Sequence, residues 1–204
     1  MIRVLAGSLC LVMLLVVRPV CAEERHPAAA ALASFAEDAI AMLSDQEVTK
    51  RERTDSFRRL LVAAFDLDTI SRFVLGRSGR GLDAAQRQEF RDVFEDYIVA
   101  SYADRLGGYA GETMSLGRTR VLKKGMVSVG STIITPGDGE PIRVDWRMRD
   151  GGEGWQVLDV LVEGVSMAIT QRDEFQSVIR RDGNRIDGLM EMMRKKADTL
   201  SALD

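Results

Sequence analysis

Few side chains in this sequence could do chemistry. His26 is the one histidine among 204 residues. It sits close to the N-terminus of the chain left after the leader described below. A Ser–His or Cys–His nucleophile pair and a histidine metal cluster are therefore not expected. Asp66-Leu67-Asp68 brings two carboxylates together, but the remaining ligands of a calcium loop are missing and helix capping accounts for both residues. The glycines form no GxxxxGK[ST] or GxGxxG loop after a strand. Acid–base chemistry by a desolvated carboxylate stays open. Asp159 and Glu163 lie among apolar neighbours in a strand-like segment, Asp145 lies on the segment before it, and Tyr97 and Tyr102 could supply phenolic donors. The competing reading is that these carboxylates face solvent or pair with Arg143, Arg147 or Arg149. No metal ion or cofactor is expected.

The elements that would hold these residues begin after an export signal. Arg3 precedes an apolar run from Val4 to Val17, Arg18-Pro19 breaks it, and Val20-Cys21-Ala22 suits cleavage after Ala22. The run is too short to span a bilayer comfortably. Arg18-Pro19-Val20 is a poor match to the small residues that precede a lipidated cysteine. The reading is a cleaved signal over residues 1–22 and one domain over 23–204, exported to the periplasm. Removing 22 of the 204 residues leaves 182. The leader carries Arg3 and Arg18, so 26 of the 28 basic residues remain against 31 acidic ones, and the net charge moves from −3 to about −5. That balance disfavours nucleic acid. Cys10 and Cys21 leave with the signal, so the mature chain must be held together by its core alone.

Hydrophobic periodicity predicts helices, then strands, then helices. Ala28 to Leu43 is a helix with Leu32, Phe35, Ala36, Ala39 and Ile40 in phase. Thr49 and Glu52 read as a capping box ahead of a helix carrying Phe57, Leu60, Leu61, Ala64 and Phe65. Asp68 reads as the cap of a short helix through Phe73 and Leu75, and Gly76 to Gly81 as a loop. Asp83 with Gln86 starts a long helix whose stripe runs Phe90, Val93, Phe94, Tyr97, Ile98, Tyr102, Leu106, ending at Gly107-Gly108. Four strands follow, over Glu112–Leu122, Met126–Thr135, Ile142–Arg149 and Trp155–Val165, the last read as central because both its faces are apolar. Their short turns imply an antiparallel meander. Helices over Ser166–Arg181 and Asn184–Leu200 close an α+β fold. Periodicity alone leaves ordinary core and cavity wall both open for the aromatic stripe.

Several segments together resemble one family. Phe73-Val74-Leu75-Gly76-Arg77 resembles the F-x-L-G-R signature before the long helix of MlaC-type phospholipid-binding proteins, also called the toluene-tolerance family. Ser101-Tyr102-Ala103-Asp104-Arg105-Leu106 is similar to that family's T-Y-A-x-R-L segment, and Val144-Asp145-Trp146-Arg147-Met148 to its V-D-Y-R-[LM] strand. Gly154 to Met167 resembles its G-W-x-V-x-D-V-x-x-E-G-V-S block. Ser78-Gly79 replaces an aromatic pair, and Thr170-Gln171-Arg172 replaces N-Y-R, a variant similar to relatives associated with hopanoid synthesis.

The resemblance implies a fold enclosing an apolar cavity for lipid chains, with partners in an inner-membrane ABC lipid transporter complex and an outer-membrane lipoprotein complex. The ligand would be a phospholipid or a hopanoid. Leaving roughly 30 methylenes in water costs on the order of 20 kcal/mol, at about 0.8 kcal/mol each, so a carrier must cover nearly all of them. On that reading the container residues are Phe73, Val74, Phe94, Tyr97, Ile98, Tyr102, Leu106, Val144, Trp146, Val160, Val162, Val165 and Met167. Arg77 and Arg105 could meet a phosphate, with surface solvation as the competing account. Two other readings stay open: a small isomerase using Asp159 or Glu163, and a fully packed periplasmic adaptor. A large apolar cavity favours the carrier, a buried carboxylate in a smaller polar pocket the isomerase, and the absence of a pocket the adaptor.

Overall fold

The computed structural model describes residues 25–201, apart from 46, 107–108 and 138. The expected signal over 1–22 and the Gly107-Gly108 helix stop lie outside these residues. Helix α1, Pro27–Ser44, begins on a proline whose fixed φ suits the first turn. Helix α2, Lys50–Ala64, carries the expected capping box: Glu52 N–H donates to the Thr49 hydroxyl at 3.2 Å, and Thr49 N–H donates to Glu52 Oε2 at 2.9 Å.

Helix α3 spans Leu67–Leu75. Its cap is Asp66, not the expected Asp68: Thr69 N–H donates to Asp66 Oδ1 at 2.8 Å, while Asp68 pairs with Arg72 one turn on. The shift has a tertiary origin. Phe65 bridges Val157 in parallel, and Asp66 N–H donates to the Val157 carbonyl at 3.0 Å, so the chain turns into the helix at Asp66. Gly76–Gly81, expected as a loop, is a short 3-10 helix. Its first residue has φ +53, which favours glycine, and a Cβ there would lie 3.1 to 3.3 Å from the Arg172 guanidinium, which would have to give way.

Helix α4, Ala84–Leu106, starts with reciprocal Asp83–Gln86 bonds of 2.9 and 3.0 Å. The sheet follows as β1 Thr113–Val121, β2 Met126–Ile134, β3 Ile142–Asp150, β4 Trp155–Val162 and β5 Val165–Ser166, antiparallel and in sequence order. The four-strand meander thus gains a two-residue fifth strand. The segment read as one strand to Val165 breaks because Glu163 and Gly164 take φ 48 and 83, the two positive values that a two-residue type I′ reversal needs. β4 is consequently second from the edge rather than central. β5 covers only Leu161 and Val162, and Phe65-Asp66 meets β4 further along at Val157. Helices α5, Met167–Arg181, and α6, Asp187–Ser201, complete the fold.

The interior forms two hydrophobic clusters. One is helical and centres on Phe175 of α5, against which Phe90, Phe94 and Tyr97 of α4 set edge-to-face contacts with centroids 6.5, 6.1 and 5.8 Å away. The other lies under α1, where Ala28, Ala29 and Leu32 cover Val127, Val129, Met148 and Val157 on the inner sheet face. Phe65 packs against both.

Candidate functional site

Between the two clusters lies a cavity of about 510 Å³, within the roughly 300–1,000 Å³ of sites that bury small ligands. Its helical wall follows from the 3.6-residue period. On α4, Phe94, Ile98 and Tyr102 recur every four residues and reach the cavity, Phe94 also packing into the helical core with Phe90, Val93 and Tyr97. Phe57 and Leu61 of α2, Phe65, and Leu67, Ile70 and Val74 of α3 continue this wall. Phe35 of α1 closes one side.

The sheet supplies the opposite wall. Trp146 on β3 lies directly across from Val160 on β4, and Val144 across from Val162. The pairing slips between Asp159 opposite Arg147 and Val157 opposite Met148, leaving Leu158 as an extra residue. This bulge re-aims the strand, and Leu158 joins Val160 and Val162 at the cavity. Met167, Ala168 and Gln171 of α5 finish the lining.

Trp146 is fixed in place. Its indole N–H donates to the Ser131 hydroxyl at 2.9 Å, and that hydroxyl donates to the Val144 carbonyl at 3.3 Å. Ser131→Ala removes the acceptor and leaves the half-buried indole N–H without it. A loss of about 1 to 3 kcal/mol is expected, read as a lower urea midpoint with unchanged slope.

The structure brings together eight of the expected container residues: Val74, Phe94, Ile98, Tyr102, Trp146, Val160, Val162 and Met167. Four others lie elsewhere. Phe73 is adjacent to Val74 on a helix and so points some 100° away; its exposed ring lies under the Arg172 guanidinium, 5.2 Å from the centroid. Tyr97 is buried against Phe175, with the Lys196 ammonium 5.1 Å above its ring. Val144 is buried in the sheet, one inner-face position before Trp146. Val165 stands exposed beyond the Glu163-Gly164 turn. Leu106 and Arg105 lie outside the residues whose side chains are described, and Arg77 is exposed on the 3-10 helix. Sequence reasoning passed over Phe35, Phe57, Leu61, Phe65, Leu67, Ile70, Leu158, Ala168 and Gln171 as cavity residues. Their periodicity is that of any buried face, and the bulge at Leu158 leaves no mark in the alternation.

Asp159 is the one acidic residue on the lining among the described residues, its side chain only 9% exposed. It is fully engaged. Oδ2 accepts from the Ser166 hydroxyl at 2.7 Å and from Arg147 Nη1 at 3.2 Å, and Oδ1 accepts from Ala168 N–H at 3.1 Å. The carboxylate therefore ties β3, β4 and the start of α5 together and is not presented as a base. Glu163 lies outside the cavity: Arg143 N–H at 2.6 Å and its guanidinium at 3.0 Å hold its carboxyl below the usual glutamate range. Asp145 pairs with Arg120 at 3.3 Å. Among the described residues, no three of His, Cys, Asp and Glu lie close enough to hold a metal ion.

Arg149 goes instead to Asp66, at 3.0 Å. Burial pushes the Asp66 carboxyl up, but the Thr69 backbone and hydroxyl bonds and the Arg149 guanidinium outweigh it, and the group titrates below its ordinary value. A depressed folded-state value stabilises the protein above the unfolded value, about pH 3.9, and that contribution is lost as pH falls through the folded value. Asp66→Asn is expected to lower stability near neutrality and to flatten its acid limb below about pH 4. Urea midpoints across that range check it: parallel curves for variant and wild type would contradict the linkage.

No helix among the described residues is long and apolar enough to cross a membrane. Comparison with known proteins gives a consistent pattern. The family model described as MlaC protein matches residues 33–195. A toluene tolerance protein, ttg2D, of Pseudomonas putida is 25% identical over 134 residues, 65% of this chain and 62% of that protein. The intermembrane phospholipid transport system binding protein MlaC of Haemophilus influenzae is 25% identical over 143 residues, 69% of this chain and 66% of that protein. The matches span slightly less than two thirds of either relative's own length. A phospholipid-binding protein from Ralstonia solanacearum, solved in complex with a phospholipid, shares the fold with a TM-score of 0.75, over 86% of this chain and 99% of that one, at 22% identity.

Proposed function

Since the chain belongs to the MlaC protein family, we propose that it is a periplasmic carrier that shields the acyl chains of a phospholipid in its apolar cavity. It would pass lipid between an inner-membrane ABC lipid transporter complex and an outer-membrane lipoprotein complex. The observation that carries the reading is the cavity of about 510 Å³ at the seam between the two hydrophobic clusters. Among the described residues its lining is apolar apart from Tyr102, Gln171 and the fully bonded Asp159. Shielding chains from water needs no bond to break, so a wall of this composition suits the task without a catalytic group.

The test is to purify the mature protein from cells, extract it with organic solvent and identify what is released by mass spectrometry. Phospholipid near one equivalent per chain is expected. Hopanoids in its place would move the ligand to the terpenoid class. Folded protein that releases no lipid and takes up none when offered would overturn the reading.

A further inference from the structure

A second apolar cavity, of about 330 Å³, lies between α1 and the start of the sheet. Ala36, Ala39, Ile40 and Leu43 of α1 form one side, and Met114 and Ile133 the other. The polar groups at its rim are used locally: the Tyr109 hydroxyl donates to the Glu112 carbonyl at 3.1 Å, and Ala110 N–H donates to Glu112 Oε2 at 2.8 Å. A space of this kind suits hydrocarbon better than water.

Phe35 and Trp146 line both cavities. Their rings meet edge to face, with centroids 6.0 Å apart at 67°. Trp146 is held from the sheet side by Ser131, and Phe35 from the helix side by an edge contact with Phe65 at 5.9 Å. Both cavities also reach the same end of the sheet. Met114 pairs with Ile133, Ile133 with Ile142, and Val144 with Val162, which places Met114 and Ile133 of the second cavity and Val162 of the first near one edge of the strands.

We propose that the Phe35–Trp146 pair is a septum between two acyl-chain chambers, so that one chain of a two-chain lipid lies on each side of it. The inference rests on the carrier reading and deepens it to a ligand class. A diacyl lipid straddles a septum because its chains are separate and flexible. A rigid fused-ring lipid needs one undivided space, and a single-chain lipid fills one chamber only.

The test offers the wild-type protein a phosphatidylethanolamine with a mid-chain diazirine on one acyl chain, irradiates it, and maps the adducts by peptide mass spectrometry. Adducts on Ala36–Leu43 or Met114 as well as on residues of the larger cavity are expected. Adducts confined to the larger cavity would overturn the septum. The variant Ala39→Trp narrows the second chamber alone. It is expected to retain diacyl phosphatidylethanolamine at least tenfold less well and to retain the lyso form within twofold of wild type. Unchanged diacyl retention would sink the two-chamber assignment while leaving the carrier standing. Wild-type protein that binds neither lipid would end the carrier reading itself.

Discussion

A protein carrying Ala168→Trp with Ile98→Phe is expected to hold phospholipid about a thousandfold less tightly than wild type. Both residues line the larger cavity, one on α5 and one on α4. The added rings occupy space without introducing charge. Each methylene kept out of the cavity forfeits about 0.8 kcal/mol, so displacing five costs about 4 kcal/mol, or roughly 10³ in Kd. The Ala168 N–H that bonds Asp159 at 3.1 Å is a backbone group and survives the change. Native mass spectrometry after titration with lipid vesicles gives the ratio, and the melting temperature of the lipid-free protein gives the control. Wild-type affinity in a folded variant would mean that the chains lie somewhere else.

Asp159→Ala has the second largest expected effect, on stability. The carboxylate is acceptor for three donors from three elements. Hydrogen bonds to a charged acceptor are each worth about 1.5 kcal/mol or more, and the Arg147 contact adds little because that guanidinium is 40% exposed. The sum is about 3 kcal/mol, which for a chain of this size lowers Tm by roughly 6 to 12 °C. Asp159→Asn keeps an acceptor oxygen and should lose less. The pair also separates two functions for the residue. If Asp159→Ala melts like wild type, the carboxylate is not a structural tie, and the isomerase reading regains its base.

Local chemistry made much of the fold legible. The capping box at Thr49, the Asp83–Gln86 start and the alternation of Ile142, Val144, Trp146 and Met148 each specify their element without help from distant residues. The misplaced features depend on contacts far apart in sequence. Asp66 rather than Asp68 caps α3 because Val157, some 90 residues on, receives its backbone N–H. The Glu163-Gly164 reversal hides inside an apolar run because only one of its two positive-φ residues is glycine. For the site, the α4 stripe could be read, but not that Ile98 and Tyr102 reach the cavity, Phe90 and Tyr97 the helical core, and Phe94 both. That division depends on where α5 and the sheet stand. A cavity is an absence of packing between elements, and periodicity reports only which faces are apolar.

The seam between the two clusters has a mechanical consequence. A lipid chain lying in the larger cavity, as proposed, would touch Phe94 and Leu61 of the helical cluster and Trp146 and Val160 of the sheet cluster at once. The loaded protein would then have one continuous interior, whereas without cargo the two clusters meet at Phe65 and through the Asp159 and Asp66–Arg149 ties. Cargo would act as a keystone. Its binding free energy would add to the global stability, and slow amide exchange in α4 and β3 is expected to become correlated only when the protein is full. On the carrier reading, stiffness itself would then report occupancy.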